Sequence, residues 1–128
     1  ECTAKRLEER AKDKATGRAY DGLFVRHWDT WASGQRNLLH SLALGADGKA
    51  TGAPVALSRS LDGDAPSKPF GGDDEYAFSP DGSRIAFAVR VAGREEAWST
   101  NLDVYEVPAA GGAEPVNLTK DNGATDTQ

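Results

Sequence analysis

Residues 75–90, Glu-Tyr-Ala-Phe-Ser-Pro-Asp-Gly-Ser-Arg-Ile-Ala-Phe-Ala-Val-Arg, constrain what this chain can fold into more than any other stretch. Ile85, Phe87, Val89 and Val91 share one parity, and Arg84, Ala86, Ala88 and Arg90 take the other. A two-residue period of this kind describes a β-strand with one strongly apolar face. Ahead of it, Ser79-Pro80-Asp81-Gly82 places Pro where a turn wants φ near −65°, Asp where a side chain can bond back to the backbone, and Gly where φ can turn positive. The two arms form a hairpin, with Ile85, Phe87 and Val89 expected among the most buried side chains.

The pattern continues downstream. Residues 92–100 read as a loop, 102–107 as a third strand, and Pro108-Ala-Ala-Gly-Gly-Ala113 as a turn into Pro115-Val-Asn-Leu-Thr119. Upstream, residues 37–44 read as a strand by the alternation of Leu38, Leu42 and Leu44, with His40 on the same parity, followed by a turn at 45–49 and a short strand at 54–58. Residues 59–74 lose all periodicity and read as a loop. Pro54-Val-Ala-Leu-Ser58 and Pro115-Val-Asn-Leu-Thr119 share the pattern P-V-x-L-[S/T], each after an apolar strand and a Gly-containing turn. Such internal repeats mark radial or linear arrays, and four strands within 75–119 match the roughly 40–45 residues of a propeller blade.

Phe78-Ser-Pro-Asp-Gly-Ser-Arg-Ile-Ala-Phe87 resembles the propeller repeat of TolB-like proteins and of the prolyl oligopeptidase family of serine peptidases. Arg26-His27-Trp28-Asp29-Thr30-Trp31, soon after a charged helix, resembles a segment of bacterial dipeptidyl or acylaminoacyl peptidases of that family. The resemblance implies a mainly β fold of antiparallel β-propeller blades, about one and a half of them, with one N-terminal helix. Residues 1–18 would be a helical appendage, 19–58 the outer part of one blade, 75–119 a complete blade and 120–128 the start of the next. A propeller closes only with roughly four to eight blades, so the expectation is a piece. It implies a non-catalytic propeller segment of a peptidase acting on short peptides, capping a downstream α/β-hydrolase domain and limiting the access of peptide substrate. The alternative is a TolB-like binding propeller without chemistry, its loops engaging a protein or glycan. Bacterial periplasm and cytoplasm both stay open as compartments.

Ala4, Leu7, Ala11 and Ala15 recur at helical spacing, so residues 3–16 read as a helix that Thr3 caps and Gly17 ends, with Glu8 and Lys12 as an i,i+4 pair. Its apolar stripe is thin. Residues 20–31 are the most aromatic part, and Trp28 and Trp31 beside Arg26, His27 and Asp29 invite a binding-site reading. The plainer reading, that the two tryptophans cover a sheet edge while Arg26 and Asp29 pair locally, is preferred.

A net charge of −5 argues against a nucleic-acid partner, the basic residues from Lys5 to Lys14 being interleaved with Glu8, Glu9 and Asp13. No apolar run approaches the roughly 18 residues of a membrane helix, so no membrane partner is expected. Cys2, the single cysteine, is a free thiol or half of a bridge to an absent partner. No G-x-S-x-G elbow occurs, and Ser33 and Ser83 sit in ordinary turns without a recognisable partner in His27 or His40. No catalytic, cofactor-binding or metal residues are therefore expected, and the chain alone is not expected to be an enzyme. Zinc lacks ligands at short spacing. Asp62, Asp64, Asp73, Asp74 and Glu75 could attract calcium, but their spacing fails the D-x-[DN]-x-[DN]-G pattern. Asn117-Leu-Thr119 is a formal glycosylation sequon, read as a surface Asn. Exposed strand edges, with the surface of Phe24, Trp28 and Trp31, predict that the isolated chain self-associates as a homo-oligomer.

Overall fold

In the computed structural model, which describes residues 2–23 and 25–126, helix α1 (Cys2–Lys12) precedes a small hairpin of β1 (Arg26–His27) and β2 (Thr30–Trp31). Strands β3 (His40–Ser41) and β4 (Val55–Ala56) pair next. β5 (Tyr76–Phe78), β6 (Arg84–Val89), β7 (Asp103–Pro108) and β8 (Val116–Asn117) complete the order. The last four form one antiparallel meander in sequence order, so the arrangement expected over 75–119 is present. Among the described residues the protein is mainly β, antiparallel, with one α-helix and no closed sheet.

Register explains the core. Phe87 pairs with Tyr105 and Ile85 with Val107 across β6 and β7, which puts all four side chains on one face. Val89 and Val107 are fully buried, Phe87 and Ile85 nearly so. The Phe87 and Tyr105 rings stack at 6.1 Å. Onto this face pack Leu39, Leu57 and Ala65 from the β3–β4 region, so the core lies between the short pair and the meander rather than within either. Each of Ile85, Phe87 and Val89 contributes on the order of 1.5–3 kcal/mol by leaving water.

The β5–β6 turn forms as its residues require. Gly82 has φ 71°. The Asp81 carboxylate accepts from the Ser79 hydroxyl at 2.6 Å and from the Ser83 backbone N–H at 3.0 Å. These contacts hold its carboxyl at about 2, below the ordinary 3.8. In β7, burial raises the Tyr105 phenol above its ordinary value, against the opposing hydrogen bond from Asn117.

Three expectations are corrected. The helix stops at Lys12, not at residue 16, because the Asp13 carboxylate takes the Ala15 N–H at 2.9 Å and closes a local turn in place of another helical one. In residues 37–44 the buried side chain is Leu39, while Leu42 and Leu44, on the parity expected inside, are exposed. The Leu39 carbonyl accepts from Leu57 N–H and its own N–H bonds to the Ser58 hydroxyl, so backbone pairing sets the face and the count of leucines does not. Asn117 is half-buried, its amide donating to Asp103 Oδ2 at 2.9 Å and Tyr105 Oη at 3.2 Å, and is not a free surface Asn.

The P-V-x-L-[S/T] repeat is a repeat of hydrogen bonds. In the first copy Leu57 N–H donates to Leu39 O at 2.8 Å, and in the second Leu118 N–H donates to Val104 O at 2.8 Å. Leu39 N–H meets the Ser58 hydroxyl at 3.0 Å, and Val104 N–H meets the Thr119 hydroxyl at 3.0 Å. Leu61 bonds back to Ser58 O as Asn122 does to Thr119 O, and Ala65 reaches Asn37 O as Asp126 reaches Leu102 O. Register agrees as well: His40 faces Ala56 where Tyr105 faces Asn117, and Ser41 faces Val55 where Glu106 faces Val116.

Candidate cleft above Arg36

Arg36 enters the fold just before Leu39 and is held by acids from two distant segments. Its guanidinium donates to Glu96 through Nη1 at 2.8 Å and Nη2 at 3.0 Å, to Asp64 at 3.1 Å, and to Asp62 through Nη2 at 3.0 Å and Nε at 3.2 Å. Lys68 joins Asp64 at 2.8 Å and Arg90 approaches Glu96 at 3.8 Å. Bonding to Glu96 first, then to Asp64, holds the guanidinium proton more tightly than in water against the opposing cost of burial. Three cations face three carboxylates, so the cluster is neutral. It ties residue 36, the 62–68 loop and the 90–96 segment together.

Above this floor opens a cleft of about 560 Å³. Its other wall is apolar and aromatic, from Tyr20, Leu23, His27 and Trp31, with Tyr20 and Trp31 stacked at 6.1 Å. Arg26 lies over the Trp31 ring at 5.3 Å, so it is engaged with an aromatic face rather than paired locally with Asp29, whose Oδ1 accepts from the Thr30 hydroxyl. Trp28 and Trp31 stand 75% and 55% exposed. Trp28 occupies the β1–β2 turn at φ 51°, the one non-glycine positive φ among the described residues. Its ring meets Phe70 edge-on at 5.3 Å, and His27 meets Phe70 at 6.1 Å. Phe24, expected on the same surface, lies outside the described residues.

The acidic residues considered for calcium divide. Asp62 and Asp64 turn to Arg36. Glu75 caps the neighbouring loop, accepting from the Ser67 N–H and hydroxyl at 2.6 Å each. Asp73 and Asp74 point outward, exposed. Among the described residues no group of three or more His, Cys, Asp or Glu is arranged to hold a metal ion. The two serines weighed as nucleophiles are held in turns, Ser83 donating to Asp81 at 2.8 Å and Ser33 to Gln35 at 3.3 Å. The Arg36–Glu96 contact is the feature that reading by segment misses, since no local spacing links residues so far apart.

Comparison with known proteins relates the chain to dipeptidyl-peptidases. The relatives carry the name dipeptidyl-peptidase 5. The chain is 36% identical over 112 residues to that of Arthroderma otae and 35% identical over 109 residues to those of Trichophyton schoenleinii and Arthroderma benhamiae. These matches cover 83% and 80% of this chain but 15% of each relative. The chain therefore spans about a seventh of the length of the curated relatives it matches. No protein-family model and no solved structure matches it.

Proposed function

We propose that the chain is a non-catalytic β-propeller segment, about one and a half blades, of a serine peptidase that releases dipeptides from short peptides. In the longer protein it would cap an α/β-hydrolase domain and restrict the access of substrate. The observation that carries this is the relation to dipeptidyl-peptidase 5 over 83% of the chain. It favours a peptidase over a binding propeller without chemistry. The repeated hydrogen-bond pattern of β3–β4 and β7–β8 supports the propeller part of the reading.

The test separates the piece from the whole. Purified 1–128 should neither hydrolyse dipeptidyl chromogenic substrates above background nor be labelled by a serine-directed fluorophosphonate, and a longer polypeptide carrying it should do both. Stoichiometric labelling of 1–128 would overturn the division of labour. The isolated chain, with unpaired strand edges on β5 and β8, should sediment as a dimer or larger at micromolar concentration. A compact monomer would count against that.

A further inference from the structure

The β1–β2 hairpin orders the open side of the cleft from end to end. At its base Arg10 Nη1 donates to the Ser33 carbonyl at 3.4 Å. Arg18 Nη1 donates to the Tyr20 hydroxyl at 3.3 Å, with its guanidinium over the Tyr20 ring. Next along the hairpin Tyr20 stacks on Trp31, which pairs in register with Arg26. His27 and Thr30 form the following pair, and both line the cleft. The turn beyond them carries Trp28, whose ring meets Phe70. Phe70 follows Pro69 of the cleft lining and is 73% exposed. A cationic end, an aromatic middle and an exposed aromatic tip lie in that order along one hairpin.

The charges on this track do not cancel. The floor is neutral, as described, but Arg10 and Arg18 make no ion pair among the described residues. Of the acids lining the cleft only Asp21 lies outside the floor cluster. The rim therefore holds a surplus positive charge in a chain whose net charge is −5, a local attraction for an anion. The tip is costly in its own right, since Trp28 keeps φ 51° without burying its ring, and strain of that kind gathers at binding sites.

We propose that the cleft binds the carboxyl-terminal end of a short peptide. The terminal carboxylate lies between Arg10 and Arg18, whose forked donors suit it. The last side chain, apolar, packs on Tyr20 and Trp31, and the residues before it run past His27 toward Trp28 and Phe70. The volume of about 560 Å³ falls within the roughly 300–1,000 Å³ of small-ligand sites. Trp28 stands two residues beyond Arg26, the partner of Trp31, so roughly 7 Å of strand separates the two levels, the reach of about two residues of extended peptide. A single aryl acid would fill the base of the track and leave its tip uncovered. The inference does not depend on the peptidase reading, because every group it uses lies within 1–128.

The indole N–H signals of the three tryptophans separate the cleft from the rest of the surface. Titration of 1–128 with N-acetyl-phenylalanyl-alanyl-phenylalanine should shift those of Trp28 and Trp31 and leave that of Trp98, which does not line the cleft. The free acid should bind on the order of fivefold or more tighter than the carboxamide of the same peptide, an advantage that shrinks as salt is added. Arg10→Gln combined with Arg18→Gln should abolish this preference and leave the affinity for the carboxamide unchanged. Trp31→Ala should weaken both forms by a similar factor. Equal binding of acid and carboxamide, or a shift at Trp98 as large as at Trp28 and Trp31, would overturn the proposal. Tighter binding of the unacetylated carboxamide would overturn it too, assigning the cleft to an amino terminus facing Asp21. Hydrocinnamate binding as tightly as the peptide acid would overturn the choice of a peptide and leave the cleft to a small aryl acid.

Discussion

Strands β6 and β7 and the N-terminal quarter contain comparable numbers of large apolar side chains and put them to opposite use. In β6 and β7 every second residue disappears from solvent: Ile85, Phe87, Val89, Tyr105 and Val107 are all buried. Between α1 and β2, Leu7, Leu23, Trp28 and Trp31 are each more than half exposed. What separates them is backbone pairing. A six-residue strand paired on both sides delivers its side chains to one face in register, whereas two-residue strands deliver an aromatic ring only to whatever happens to lie beside it. Aromatic content predicts burial only where a ladder directs it.

The largest expected effect tests that contrast directly. Phe87→Ala should cost about 3–5 kcal/mol in urea unfolding, the range for an aromatic truncated inside a packed core. Trp31→Ala, with more side chain removed, should cost less than about 1 kcal/mol because its ring is 55% exposed. Equal costs would show that the aromatic quarter is as much core as the sheet.

What was legible in the sequence follows the same division. The hairpin, the four-strand meander and the buried face of β6 could be read because alternation over Arg84–Val89 admits one strand register. The repeat was legible as P-V-x-L-[S/T], though its meaning as paired hydrogen bonds to Leu39 and Val104 was not. Leu39 was missed because three leucines on the other parity outvoted it, and only pairing with Leu57 decides the face. The cleft was half legible: Tyr20 to Trp31 drew attention by composition, but Arg36 did not, since its partners Asp62, Asp64 and Glu96 reach it through tertiary structure alone.

Those partners give the next effect in size. Arg36→Met removes the cation from Asp64 and Glu96, whose side chains are 9% and 18% exposed. Stranding carboxylates in a fully dry site costs about 3–5 kcal/mol. Here Lys68 still reaches Asp64, Arg90 still approaches Glu96 and Arg36 is itself 30% exposed, so about 2–3 kcal/mol is expected. Arg36→Lys should recover only part of this, because an ammonium cannot reproduce the forked contact with Glu96. Full recovery would mean that charge alone is needed and the geometry of the cleft floor is not.

Trp28 should move the other way. A bulky residue at φ 51° carries a left-handed backbone penalty of about 1–2 kcal/mol. Its side chain, 75% exposed, returns little by burial. Trp28→Gly should therefore raise stability by about 0.5–1 kcal/mol after glycine's greater freedom in the unfolded chain is counted. A loss of more than about 1 kcal/mol would place the Trp28–Phe70 contact within the cooperative core, and the contrast between the two regions would weaken.

The smallest effect belongs to the turn that starts β6. Asp81 is fully exposed, yet its carboxyl is held at about 2 by the Ser79 hydroxyl, then by the Ser83 N–H and hydroxyl. A folded-state value below the ordinary 3.8 means that the unfolded chain binds this proton first, so the turn's contribution is complete above pH 3.8 and fades as the pH falls toward 2. Carboxyl-resolved NMR titration should give Asp81 a midpoint near 2 in the folded protein. Asp81→Asn keeps one oxygen to accept the Ser83 N–H but has no proton to gain, so its urea midpoint should change less than that of the wild type across that acidic window. If wild type and variant instead fall in parallel, acid sensitivity arises elsewhere and the turn is set by Pro80 and Gly82 without help from the carboxylate.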